Sequence, residues 1–236
     1  MVTPVWDASL FMETFCERRG ASFLDEPLNL ATNLVFLLAC LMLVRRVVHL
    51  RGDGCTVPFS VQALIASIGA VALSSAVFHM SALRWAGVSD AMAVRLFAMA
   101  FAACYMRWLL NWPWLWVAVA IPALLSLALV VPGALPLSRL YGAAPLLPGA
   151  LGLVLFAAIL ALRGDPAWRV IAAAAASFAV AMVFHRVDRP LCEVLPTGTH
   201  FLWHLFSGIA AYLMASAVLE RAAQRLSPLQ PVRVAA

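Results

Sequence analysis

Seven apolar blocks, each roughly twenty residues long and divided by short polar stretches, take up most of this 236-residue chain. A helix of about 20 apolar residues spans the ~30 Å of bilayer hydrocarbon, and lipid offers no partner for an unpaired backbone N–H or C=O. The expected fold is therefore all-α: a polytopic membrane bundle of seven transmembrane helices, at roughly 27–48, 57–81, 88–108, 114–132, 144–163, 167–186 and 198–219. Gly52-Asp53-Gly54, Asn111-Trp112-Pro113, Pro132 to Pro136, Gly164-Asp165-Pro166 and Pro196-Thr197-Gly198 punctuate them as turns. Residues 1–26 read as a polar N-terminal segment, 27–220 as one membrane domain and 221–236 as a short tail.

Composition excludes the alternatives. The chain is 64% apolar and 11% charged, against about 25% charged residues in soluble domains. Its net charge of +5 comes from 16 Arg scattered singly or in pairs, which leaves no basic run for nucleic acid. The first twenty residues lack the basic, apolar and small-residue succession of a signal peptide, so the N-terminus is read as retained. Nine Arg fall in the loops after spans one, three and five and in the tail, and six on the other side, which favours an outside N-terminus and a cytoplasmic C-terminus. Trp108, Trp112, Trp114 and Trp116 read as an interfacial belt.

In so apolar a chain the informative residues are polar ones within or at the ends of spans, because each is costly there unless paired, hydrated or bound to metal. His200 and His204 are four apart at the start of the seventh span, so both rings project from one helical face. That spacing suits two zinc ligands, and equally two hydrogen-bonded interfacial histidines. Ser75 and His79 are four apart near the end of the second span, and Asp90 opens the third. An even-numbered span ends on the face where an odd-numbered one begins, so His79, Asp90, His200 and His204 must share a leaflet. Three histidines with Ser75 and Asp90 beside them match a catalytic zinc with one open position.

The N-terminal segment belongs to the same face. Its Glu17, Asp25, Glu26, Asn29 and Asn33 either cap and solvate the first helix or anchor the segment across the mouth of the site. Cys16 and Cys192 also fall on that face, and if it is the oxidising one they can form a disulfide. His49 lies on the opposite face; His185, ending the sixth span, is read as making an interfacial hydrogen bond or, alternatively, as supporting the metal ligands from behind. Arg95, inside the third span, calls for an acidic partner, with Asp90 and Asp188 as candidates.

Taken together, Cys16-Glu17, Glu26-x-x-Asn29-x-x-x-Asn33, Ser75-x-x-x-His79 with Asp90, Asp188-x-x-x-Cys192 and His200-x-x-x-His204-x-x-x-Gly208 resemble the alkaline ceramidase family. That family sits within a wider group of seven-span hydrolases with adiponectin-receptor-like and GPI-remodelling proteins. The resemblance runs over almost the whole chain. It implies a zinc amidase that cleaves the N-acyl bond of ceramide to a fatty acid and a sphingoid base, with His79, His200 and His204 as zinc ligands, Ser75 and Asp90 at the metal, and a Cys16–Cys192 disulfide. Glu17 and Glu26 match acidic positions of a calcium site in animal members. Thr14 and Arg19, however, stand where the family has Asp and Asn, which argues against calcium. Arg19, paired with Glu17 or Glu26, is expected to replace the ion's structural role.

The chemistry reads the same way. Zinc held by three neutral imidazoles supplies a Lewis acid and a water of pKa near 7; Asp90 is placed to move its proton to the leaving amine, and Ser75 to hydrogen-bond the oxyanion. The alternatives are a hydrolase of another lipid amide or ester, and a seven-span receptor or sensor with structural zinc. The expected partner is a lipid substrate from the bilayer, with no protein partner implied. The exclusive use of Arg points to a bacterial inner membrane.

Overall fold

The computed structural model describes residues 15–20, 22–134 and 146–226, with side chains left out at 131–134. Thr14 and the tail beyond Leu226 therefore lie outside the described residues. Those described are helical, without strands: α1 (Pro27–Thr32), α2 (Leu34–Gly52), α3 (Phe59–Ser81), α4 (Arg84–Cys104), α5 (Trp114–Ala134), α6 (Leu147–Leu162), α7 (Trp168–Val187) and α8 (His200–Leu226). A π-helical turn, Tyr105–Leu109, extends α4, and a 3-10 turn, Arg189–Leu191, follows α7. α1 and α2 together form the first expected span, so the helices number seven in the expected order.

Five of the seven are long and apolar enough to cross a membrane: 27–52, 59–81, 84–109, 168–187 and 200–226. α5, which runs to Ala134, and α6 are apolar over the described stretches 114–130 and 147–162 and border the residues left undescribed. The helices are bounded by local chemistry. α3 starts after extended Pro58 and stops where Ala82 turns left-handed at φ 51°, its N–H bonded to the Phe78 carbonyl. The Asn111 turn is left-handed too, at φ 64°, a conformation Asn tolerates better than most residues.

α8 is the central helix. Sixty-one per cent of its most apolar window is buried, against 17–44% for the other four long helices, and it packs on α7, α2, α1 and α3. Gly208 makes one of these approaches possible, since a Cβ there would lie 2.6 Å from Val35 Cγ1. Outward faces carry apolar side chains, as at Leu34, Leu38, Leu41 and Met42 of α2, the arrangement of a helix whose solvent is lipid. Trp112, Trp114 and Trp116 are exposed as an interfacial belt requires, but Trp108 is buried and its Nε1 donates to Ser60 Oγ at 3.2 Å.

Candidate metal centre

The C-terminal end of α3 and the N-terminal end of α8 meet at one end of the bundle. His79, His200 and His204 converge there, at 1%, 3% and 2% exposure, with their ligand nitrogens all within 4.8 Å of one another. That limit is looser than the roughly 3.4 Å edge of a tetrahedron with ~2.1 Å arms, so an ion would draw the rings inward.

The backs of two rings are already held. His79 Nδ1 lies 2.5 Å from Glu26 Oε2 and His204 Nδ1 lies 3.0 Å from Thr32 Oγ1, which leaves Nε2 of each for a ligand. This is the outer-shell pattern that orients metal-binding imidazoles. His200 Nδ1 is buried without a hydrogen-bond partner. Three buried imidazoles can hold a metal ion; the donor set suits zinc without singling it out among metals that take nitrogen. Among the described residues no fourth His, Cys, Asp or Glu joins the cluster.

The N-terminal segment builds the second layer. Glu17 accepts from the N–H groups of Leu28 and Asn29, at 2.7 and 2.9 Å, and so caps α1. Burial pushes the Glu17 carboxyl up from its ordinary range, against the pull of those two donors. Burial opposes ionisation of Glu26 as well, yet hydrogen bonds from His79, Asn29 and Arg18 hold it below the usual carboxylate range. The cation on Glu26 is Arg18, with Nε 2.5 Å from Oε1, and not Arg19, which is exposed. Cys16, Glu17 and Arg18 are all buried, and exposure begins at Arg19. Arg18 Nη2 donates to the His79 carbonyl at 2.6 Å, and Nη1 to the Gly20 and Ser22 carbonyls at 3.3 and 3.4 Å. Phe15 stacks on the His200 ring with centroids 3.5 Å apart.

The disulfide joins Cys16 to Cys192 with Cα atoms 5.2 Å apart. Beside it Asp188 accepts from the N–H groups of Thr199 and His200 through Oδ1, at 2.6 and 2.9 Å, and from Cys16 N–H through Oδ2 at 3.1 Å. One carboxylate therefore caps α8, positions its first histidine and ties down the N-terminal segment. Gly198 lets it approach, for at φ 63° a Cβ would lie 2.1 Å from Asp188 Oδ1. Asp188 is thus spoken for, and Arg95 is exposed on α4 without the acidic partner its place in the sequence called for.

No protein-family model matches the chain, and no curated protein matches it. The site's reading rests on its own geometry.

Ser75 and Asp90 line a narrow cleft of about 60 Å³ together with His204 and Ser207. The serine that touches Asp90 is Ser74, whose Oγ is 3.3 Å from Oδ1. An apolar cavity of about 160 Å³ adjoins this cleft, walled by α4, α5 and α6, and the two share Val94, Phe97, Phe178 and Met214. His185 belongs to the histidine group rather than to the surface. Its ring centroid is 5.3 Å from that of His200 and 5.1 Å from that of Trp203, and its Nδ1 is buried without a partner. Thr32, Phe15, Arg18 and the capping role of Asp188 escaped sequence reasoning; only the density of polar residues over 17–33 pointed toward them.

Proposed function

We propose that the chain is a membrane-embedded zinc-dependent amidase that hydrolyses the N-acyl bond of ceramide or a related lipid amide, releasing a fatty acid and a sphingoid base. The observation that carries this reading is the cleft itself. The buried His204 imidazole, with His79 and His200 clustered beside it, lines one end of a passage together with Asp90 and Ser75, and the other walls are apolar, as a lipid amide with one polar linkage and long chains requires.

In this reading His79, His200 and His204 hold zinc, which when bound supplies a Lewis acid and an activated water. Glu26 and Thr32 fix the ring orientations through Nδ1. Asp90 takes the proton of the attacking water and returns it to the amine nitrogen as the C–N bond breaks. Ser75 donates to the carbonyl oxygen as it gathers charge. Acyl carbons lie along Val94, Phe97 and Phe178 toward the cavity beyond. The resemblance to alkaline ceramidases, the crossing of the membrane by all seven helices, the outside N-terminus and the bacterial inner membrane belong to the same proposal. A three-histidine set without a fourth protein ligand among the described residues favours an enzyme over a receptor with closed, structural zinc.

The test is to incubate purified, zinc-loaded protein with ceramides, other N-acyl lipids and the matching esters, and to identify released fatty acids by mass spectrometry. Fatty acid from amides, lost in His79→Ala, is the expected result. Turnover of esters alone, or of nothing, overturns the proposal.

A further inference from the structure

The end of the bundle opposite the histidines holds a second concentration of charge, and it is unbalanced. Arg107 on the π-helical turn, Arg163 after α6, and Arg221 and Arg225 on the last turns of α8 gather there: Arg221 bonds Asp165, two residues beyond Arg163, and Arg225 bonds Asn111, four residues beyond Arg107. The carboxylate within the group is Asp165, bonded to Arg221 at 2.5 Å. The nearby Glu220 is taken by Arg46 at 2.8 Å. Four arginines against one aspartate leave a local excess of three positive charges, and residues 227–236, which follow α8, contain Arg233 and no Asp or Glu.

The local backbone and bonding are unusual as well. Tyr105–Leu109 is π-helical, a form that occurs mostly as single turns at functional sites. It ends two residues before left-handed Asn111, whose side-chain oxygen accepts from Arg225. The turn carries Arg107 with its guanidinium 4.8 Å from the Trp108 ring and its Nε buried without a partner. Arg163 is exposed, and its side chain makes no hydrogen bond among the described residues. Such a set, with planar donors, an aromatic floor and an excess of positive charge at the rim of a lipid-facing bundle, matches a phosphate ester.

We propose that this rim is a binding site for the phosphate group of an anionic membrane phospholipid, with Arg107 and Arg163 as its principal donors. The lipid is favoured over free phosphate because the site borders helices with lipid-facing apolar surfaces, so acyl chains add contacts that a free ion lacks. This site is independent of the proposed hydrolysis and stands or falls apart from it.

The test uses the full chain in a neutral detergent, with Tm followed while phosphatidylglycerol, phosphatidylcholine or inorganic phosphate is added, and with retained lipid read by native mass spectrometry. Phosphatidylglycerol should raise Tm by on the order of 5 °C and remain bound, phosphatidylcholine should do neither, and Arg107→Gln with Arg163→Gln should abolish the shift. Arg163→Glu alone, at an exposed position that breaks no internal bond, should weaken it and keeps the test decisive if the double variant folds poorly. Equal shifts with both lipids, a full shift in the variants, or reproduction of the shift by inorganic phosphate would each overturn the proposal.

Discussion

The two ends of the bundle handle charge in opposite ways. At the histidine end ionisable groups are buried and matched: Arg18 and Glu26 are each 3% exposed and bonded to one another, and Glu26 also holds His79. At the arginine end the ion pairs are partly open to their surroundings, with Arg46 and Glu220 at 35% and 54% exposure, and cations outnumber anions. Burying a charge is expensive unless it is paired, so the buried Arg18–Glu26–His79 network marks a position held for a purpose. Exposed pairs contribute little, about 0–1 kcal/mol each, and an unmatched excess marks a surface that meets something else.

The sharpest way to break this contrast is at the rings themselves. Substituting His204 by Ala should reduce bound metal from one equivalent to none by elemental analysis, whereas Arg46→Gln should leave the metal content untouched. Next in size is the Cys16–Cys192 bridge, which closes a long loop at the histidine end only. Replacing both cysteines by Ser should lower unfolding stability by about 2–5 kcal/mol, and weaken metal retention because Phe15, Glu17 and Arg18 are released with it.

Much of the histidine end could be read from the chain. The apolar blocks placed the spans, with 57–81 expected and Phe59–Ser81 observed, and alternation of span direction brought His79, His200 and His204 to one end. What escaped depended on side-chain direction. Arg18 and Arg19 are neighbours in sequence, and only the folded turn shows which one reaches Glu26. Ser74 and Ser75 differ by about 100° around α3, so the one that touches Asp90 could not be chosen from spacing. Trp108 looked interfacial by composition, but the π-helical turn rotates it inward onto Ser60.

Smaller effects sharpen the comparison further. Glu26→Gln keeps the shape but weakens the hold on His79 Nδ1, and should cost roughly 10–100-fold in metal affinity by chelator competition; Glu220→Gln should cost none. The mildest effect belongs to Asp165, whose carboxyl the Arg221 hydrogen bond holds below its ordinary value. A depressed folded pKa means that its stabilisation is present above the unfolded value near 3.9 and fades as pH falls through the folded one. Unfolding measured from pH 7 to pH 3 should thus show a small acid-dependent loss that Arg221→Gln removes, with no matching change in metal content above pH 5.

The most direct measurement is X-ray absorption at the zinc edge of purified, zinc-loaded protein. Three imidazole nitrogens and one further light oxygen scatterer near 2.0 Å, with the imidazole signal lost in His79→Ala, are the expected result. A fourth imidazole, a sulfur scatterer, or failure to bind zinc at all would contradict an open three-histidine centre.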